Sequence, residues 1–279
     1  MGRWSAWLTA GPGGLYLIAF TLAPLLLVIY TSLLSRGPTG ETIPPFGFHN
    51  YLRFFSDPLY LGILGQSLWM GLVSTLLTLL LGYPLAFFIA GHPRKHLLLL
   101  LLTVPFLTNF LIRVYAWIVV LQTEGLLNAV LGWVGVDPVP FFPSNAAVYL
   151  VTVYTFLPFF VLPLYATVER IDWKLLEAAY DLGAGRVRGF WLAIFPQTLP
   201  GLLAGFVLVF VPAVGTFVIS DLLGGGKVVL IGNLVQQQFG VVRDWAFGSA
   251  ISLILVGLVL LGLWAYARSR GRQGLDGLV

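Results

Sequence analysis

The sequence contains no cysteine, and it has few charges: Asp, Glu, Lys and Arg make up 9% of its 279 residues. The first absence excludes disulfides, cysteine-ligated zinc and thiol catalysis, and leaves the redox compartment open. The second excludes an ordinary soluble fold, because a chain with 58% apolar residues and a mean hydropathy of +0.93 has too little polar surface to cover a water-facing exterior. There are only three histidines, His49, His92 and His96. The last two have i, i+4 spacing, but Pro93 stands between them and no third ligand is near, so they read as a polar turn at a membrane surface and no metal site is expected. The formal charge of +4 is distributed around apolar segments without a continuous basic patch, so no nucleic acid partner is indicated.

What the chain has in quantity is long apolar runs. Six windows are long enough for a helix to cross about 30 Å of hydrocarbon, which takes about 20 residues: Leu15 to Leu34, Leu64 to Ala90, Leu97 to Leu121, Ala146 to Val168, Thr198 to Ile219 and Ala246 to Ala267. Unpaired backbone groups cannot face lipid, so these runs predict an all-α polytopic membrane protein, a six-helix bundle in one domain over residues 1–279. The first window is too long for a signal-peptide core and no small-residue cleavage site follows it, which predicts an uncleaved first helix. Ten Lys and Arg residues fall at the termini and the even-numbered turns, against four in the opposite loops, Arg36, Arg53, Lys227 and Arg243. The positive-inside rule then places both termini in the cytoplasm of a cell that carries the protein in its inner (cytoplasmic) membrane.

Proline interrupts nearly every window, at Pro24, Pro84, Pro105, Pro158, Pro163, Pro200 and Pro212. Kinked helices line protein interiors or aqueous paths, although proline is also simply commoner in membrane helices. Gly201 and Gly205 form a small-xxx-small pair that favours close helix packing.

The longest cytoplasmic stretch, Glu169 to Gln197, carries both charge signs. Asp172 can cap a helix and Gly183 can end it, with good helix formers between them, so a short helix outside the membrane is expected. Its apolar residues cover more of its surface than one buried stripe needs. It either docks on a cytoplasmic protein or lies on the lipid headgroups.

Glu177-Ala178-Ala179, Gly183 and Pro196 resemble the EAA loop of bacterial ABC importer permeases, E-A-A-x3-G-x9-I-x-L-P, with Ala193 and Phe195 departing from the pattern. The resemblance implies the MetI-like permease fold with a cytoplasmic coupling helix. It also implies an ATPase-coupling set of Trp173, Leu176, Glu177, Ala178, Ala179, Asp181, Gly183 and Pro196, in which Glu177 makes the polar contact and Gly183 the sharp turn. Further stretches are similar to the spermidine/putrescine permease branch: Leu81-Gly82-Tyr83-Pro84, Val104 to Asn109, Leu111 to Tyr115, Leu176 to Ala184, Ser220-Asp221-Leu222 with Gly225 and Lys227, and Arg243-Asp244-Trp245. Permeases for other small organic solutes share parts of these. The implied partners are a homologous second permease subunit, two cytoplasmic nucleotide-binding ATPase subunits, an extracytoplasmic substrate-binding protein and the lipid bilayer.

The chain itself is not expected to be an enzyme or to bind a cofactor. Its only Gly-Lys pair, Gly226-Lys227, lacks the flanking residues of a P-loop, so ATP is left to a partner. The Gly224-Gly225-Gly226 run is a turn or a contact for the binding protein. A path for polyamine cations needs carboxylates or aromatic faces; Asp221 is the favoured carboxylate, with Tyr115, Trp117, Tyr154 and Phe217 as aromatic candidates. Asp221 has a plainer reading as a helix-end carboxylate paired with Lys227 or Arg243. Arg113, charged at membrane depth, would repel such a cargo, and pairing with a carboxylate or with broken-helix carbonyls is expected. A secondary transporter would need no cytoplasmic docking helix, and the sequence shows neither the intramembrane acids nor the inverted repeats such proteins use.

Overall fold

The computed structural model describes residues 3–270, with side chains for Gly14, Tyr16–Trp264 and Arg268. Leu15 of the first window and Arg3, Arg270 and Arg272 of the charge count lie outside those side chains. Helix α1 (Arg3–Ser32) leads into a small antiparallel ribbon, β1 (Ser35–Arg36) and β2 (Thr42–Ile43), with Ser35 opposite Ile43. Then follow α2 (His49–Ser56), α3 (Pro58–Gly91), α4 (Lys95–Thr103), a 3-10 turn at Val104–Leu107, α5 (Phe110–Leu121), α6 (Leu126–Trp133) and α7 (Asn145–Val168). The chain continues through α8 (Lys174–Asp181), α9 (Arg186–Gly189), a π turn at Phe190–Ile194, α10 (Phe195–Gly215), α11 (Val218–Gly224), α12 (Ile231–Gln237), a second π turn at Gln238–Val242 and α13 (Trp245–Arg270).

The helix starts follow local chemistry. Asp57 Oδ1 accepts from Leu59 N ahead of Pro58, Asn109 Oδ1 from Leu111 N, Ser144 Oγ from Ala147 N and Asp244 Oδ1 from Phe247 N. Each satisfies a donor that the first helical turn leaves free.

Among the described residues five apolar segments are long enough to cross a membrane: Pro58–Gly91, Phe110–Trp133, Asn145–Val168, Arg186–Gly215 and Trp245–Trp264. Tyr16–Ser32 and Lys95–Leu107 are shorter apolar helices. The windows Ala146 to Val168 and Ala246 to Ala267 coincide with α7 and α13, and Leu64 to Ala90 lies inside α3.

Two windows need correction. Leu97 to Leu121 is not one helix, because Pro105 removes a backbone donor, the chain tightens into the 3-10 turn, and Thr108 is extended before Asn109 starts α5. Thr198 to Ile219 ends early, at Gly215, since Thr216 is extended and Ile219 belongs to α11. The same helical segment begins at Arg186 and runs on through Pro196. Pro196 sits in the first turn of α10 after the widened π turn, where a residue without an N–H is tolerated.

Contacts divide the chain into two compact units, Met1–Gly62 with Leu234–Val279, and Ile63–Asn233. In the first, α1 meets α13 through the hydroxyls of Thr31 and Ser249, 2.8 Å apart, and Asn50 Nδ2 donates to the carbonyls of Ser32 and Leu34. Arg53 bridges to the buried Asp244 at 3.0 Å and lies over the Phe247 ring at 4.0 Å.

The second unit is built around α7, whose Phe160, Val161 and Leu164 are fully buried. Close approach to α7 requires glycine. A Cβ at Gly205 would fall 2.9 Å from Phe160 Cδ2, one at Gly201 2.8 Å from the Pro163 carbonyl, and one at Gly82 2.6 Å from Phe160 Cδ1. Helices α3 and α10 therefore press backbone-close on α7, as the Gly201 and Gly205 spacing suggests. Alongside, α4 and α5 run antiparallel to α7: Lys95 meets Glu169, Phe106 meets Phe159 at 5.3 Å, and Trp117 meets Tyr154 at 5.2 Å. The broken helix thus runs along α7 from Glu169 to Tyr154.

Candidate functional site

The segment after α7 forms the short helix expected between Asp172 and Gly183. Asp172 Oδ1 accepts from Lys174 N at 3.0 Å and fixes the first turn of α8. At the other end Gly183 takes φ +83°, its N–H donates to the Tyr180 carbonyl, and Ala184 N donates to the Ala179 carbonyl, each at 2.9 Å. This pair of bonds is a Schellman motif, which needs the left-handed residue that glycine supplies at little cost.

Helix α8 is held from beneath by residues the sequence did not single out. Leu176 and Tyr180 lie over Gly189, where an added Cβ would be 2.9 Å from Leu176 Cδ1 and 3.0 Å from Tyr180 Cε1. Gln197 hooks the start of α8 to the start of α10: its Oε1 accepts from Asp172 N at 3.0 Å, and its Nε2 donates to the Ala193 carbonyl at 2.7 Å. No local pattern marks either residue, since Gly189 meets Leu176 and Gln197 meets Asp172 only across the fold.

The outer face of α8 is open. Trp173 and Leu175 are each 51% exposed and Leu182 is 89% exposed. Leu175, Ala178, Ala179 and Leu182, with Leu192 and Pro196 opposite, line a groove of about 490 Å³. The alanines leave this groove unfilled, because their side chains end at Cβ. Glu177 and Asp181 are exposed, four residues apart on one face of the helix, and form no ion pair among the described residues. Of the coupling set, Trp173, Glu177, Ala178, Ala179, Asp181, Gly183 and Pro196 therefore lie on the open surface or its rim, while Leu176 is the inward anchor.

Just before α8, Glu169 at the end of α7 takes a 2.5 Å hydrogen bond from Lys95 at the start of α4. That bond holds the Glu169 carboxyl below its ordinary pKa and raises the Lys95 ammonium above its own. Both residues flank expected cytoplasmic turns with opposite charges, so the sequence carried a usable signal for this link.

The path candidates are only partly brought together. Trp117 and Tyr154 pack edge to face. Tyr115 is 55% exposed, and two helical steps turn it roughly 200° from Trp117 around α5. Phe217 occupies the break between α10 and α11, where its carbonyl accepts from Asp221 N, Ser220 Oγ and Asn233 Nδ2. Asn233 Oδ1 in turn accepts from Ser220 Oγ and Leu230 N, so this buried amide fixes the break. Asp221 is exposed on α11 and makes no ion pair with Lys227. The glycine run is a turn, with Gly225 at φ +57° and Gly226 at φ +75°.

Arg113 departs from expectation. It meets neither a carboxylate nor a broken-helix carbonyl among the described residues; its guanidinium lies 4.6 Å over the Phe106 ring, with Nε and Nη1 buried and without an acceptor. No cluster of three or more metal-ligating side chains occurs among the described residues.

Comparison with known proteins places this geometry in context. Residues 78–272 match the family described as binding-protein-dependent transport system inner membrane component. The chain is 47% identical to the spermidine/putrescine transport system permease protein PotB of Escherichia coli (strain K12), over 91% of this chain and 94% of that protein. It is 43% identical to the PotB permease of Haemophilus influenzae, over 91% and 90%. Its fold is similar to that of a chain in the crystal structure of a bacterial ABC transporter involved in the import of the acidic polysaccharide alginate, with a TM-score of 0.73 at 18% identity, covering 96% of this chain and 95% of that one.

Proposed function

This chain belongs to the binding-protein-dependent transport system inner membrane components, and on that premise we propose that it is the permease subunit of a spermidine/putrescine importer worked by ATP hydrolysis in partner subunits. It is a multi-pass inner membrane permease and not an enzyme, and ATP is bound by the partners. The observation that carries the mechanism is the open apolar face of α8, anchored from beneath at Gly189 and tied to α10 through Gln197. Covering Leu182 alone is worth about 1.5–3 kcal/mol, so the groove provides a firm seat for a cytoplasmic ATPase.

In this reading the whole chain acts as one permease domain of six crossings. Helix α1 supplies the first and the broken α4–α5 pair the third, with both termini cytoplasmic. A second, homologous permease subunit completes the pore, two ATPase subunits seat the coupling helices, and an extracytoplasmic binding protein delivers the cargo. Trp173, Ala178, Ala179 and Pro196 shape the seat, Glu177 and Asp181 supply its polar contacts, and Leu176 and Gly183 hold the helix in its angle. When the ATPases close on nucleotide, α8 moves with them. Gly189 and Gln197 pass that displacement to α10, which presses on α7 at Gly201 and Gly205. Asp221, Phe217, Tyr115, Trp117 and Tyr154 belong to the cargo path, where carboxylate and aromatic faces attract ammonium groups.

The test is ATPase activity of the reconstituted complex with the loaded binding protein. Spermidine and putrescine should stimulate it and unrelated amino acids should not; stimulation by a non-polyamine alone would overturn the cargo assignment.

A further inference from the structure

Arg243 is the one non-glycine residue among the described residues with a positive φ, at +56°. It ends the π turn at Gln238–Val242, and its N–H donates to the Gln238 carbonyl, which also accepts from Asp244 N at 2.9 Å. A turn that only closed off a helix would take glycine here, since a side chain on the left-handed residue lowers the population of that conformation about tenfold. The surroundings hold the turn in place. Arg36 Nη2, on β1, donates to the Val242 carbonyl at 2.7 Å. The ribbon lies against Arg243 through Gly40, where an added Cβ would be 3.1 Å from the Arg243 carbonyl oxygen and 3.3 Å from the Arg243 Cβ. On the other side Asp244 is buried, bonded to Arg53 at 3.0 Å and capping α13 through Phe247 N. The π turn carries a second unmet demand: Gln238 is only 7% exposed, and its Oε1 is enclosed with no donor among the described residues. Its Cβ is pressed on α13 at Gly248, where an added Cβ would be 3.1 Å away. Left-handed backbone, a widened turn and an unpaired buried amide oxygen persist together in one short segment only where neighbours enforce them, and such segments are where chains switch conformation. This one follows closely on Leu234, where the chain passes from the second compact unit back into the first.

We infer that Gln238–Arg243 is a strained hinge at the start of α13 and that Arg36 is its latch: the bond to the Val242 carbonyl holds the strained form, and when it opens Arg243 leaves the left-handed region, Gln238 Oε1 gains a donor and α13 turns. The inference rests on the importer reading above, because it needs a transport cycle for the hinge to serve. Its sign is fixed by the chemistry. A residue that adopts positive φ without strain favours the latched form and slows the cycle, whereas loss of the Arg36 bond favours the released form.

The native chain has no cysteine, so Pro38→Cys with Val241→Cys gives it two thiols, one on the ribbon turn and one on the π turn, both at exposed positions. With spin labels on them in the assembled importer, whose partner subunits are cysteine-free, pulsed electron resonance should give one distance without nucleotide and a second, longer one when ATP is trapped in the presence of loaded binding protein. Arg36→Met should raise the population of the longer distance about tenfold without nucleotide. Arg243→Gly should hold the shorter distance and slow uptake of labelled spermidine about tenfold. Arg243→Ala loses the same charge but keeps the strain, so its uptake should stay within about twofold of native. One unchanged distance in every state, or equal uptake in Arg243→Gly and Arg243→Ala, overturns the inference. Where Arg36→Met does not accumulate, the two Arg243 variants decide it. Failure of the underlying reading would appear separately, as native complex without ATP-dependent polyamine uptake.

Discussion

Gly189 lies so close beneath Leu176 that a methyl group added to it would approach the Leu176 Cδ1 atom to 2.9 Å. The neighbour is the end of a flexible side chain, so Gly189→Ala should be tolerated, with coupled spermidine uptake within about twofold of the native complex. Gly189→Val adds branches that Leu176 and Tyr180 cannot both avoid, at about 1–3 kcal/mol of overpacking. It should tilt α8 and lower uptake by about tenfold while the chain still reaches the membrane. Native uptake in Gly189→Val would show that α8 does not need this seat.

Gly183 faces a purely backbone constraint. Nothing lies within 4 Å of a Cβ built there, but its φ is +83°. Gly183→Ala should therefore cost about 1–2 kcal/mol through the left-handed conformation alone, and Gly183→Asn less, because asparagine adopts it more readily. Spermidine-stimulated ATPase activity should fall in the order Gly, Asn, Ala. Equal activity of all three would remove the Schellman turn from the coupling mechanism.

The Lys95–Glu169 link should be indifferent to pH over the physiological range. The lowered Glu169 pKa gives a contribution that is present above the ordinary carboxylate value and lost as pH falls through the lowered one. The raised Lys95 pKa gives one that is present below the ordinary lysine value and lost as pH rises through the raised one. Between about pH 5 and 9 both hold. The melting temperature of the native complex minus that of Lys95→Met should stay constant across that window and shrink in stronger acid. Since the pair is exposed, the difference should be small and reduced by salt.

Asp221 is exposed on α11 without an ion-pair partner among the described residues. Asp221→Asn keeps the shape and removes the charge, so it should lower polyamine uptake several-fold, by roughly 1 kcal/mol or more of lost attraction, with assembly intact. Unchanged uptake would remove Asp221 from the path.

The features legible in the sequence were those decided locally. Asp172 and Gly183 bracket α8 because a cap and a left-handed terminator act within a few residues of themselves. Gly201 and Gly205 pointed to close packing because their spacing is a helical face. The breaks at Thr108 and Thr216 were hidden inside continuous apolar runs, where hydropathy does not distinguish one helix from two. Pro105 followed by Asn109 was a usable signal for the first, a donor removed and a cap supplied four residues later. Gly189, Gln197 and Asn233 were illegible because their partners, Leu176, Asp172 and Phe217, are brought to them only by the fold. Arg113 was visible as an oddity, but the Phe106 ring beneath it depends on the turn that breaks its helix.

The central claim is that this chain moves polyamine through force supplied by a partner ATPase seated on α8. The direct measurement is uptake of labelled spermidine into proteoliposomes holding the assembled importer, with binding protein outside and ATP inside, for the native chain and for Glu177→Lys. Uptake should require internal ATP, persist when ion gradients are collapsed, and be lost in Glu177→Lys complexes whose chain is present at native levels. Uptake that proceeds on an ion gradient without ATP, or that survives Glu177→Lys undiminished, would contradict the account.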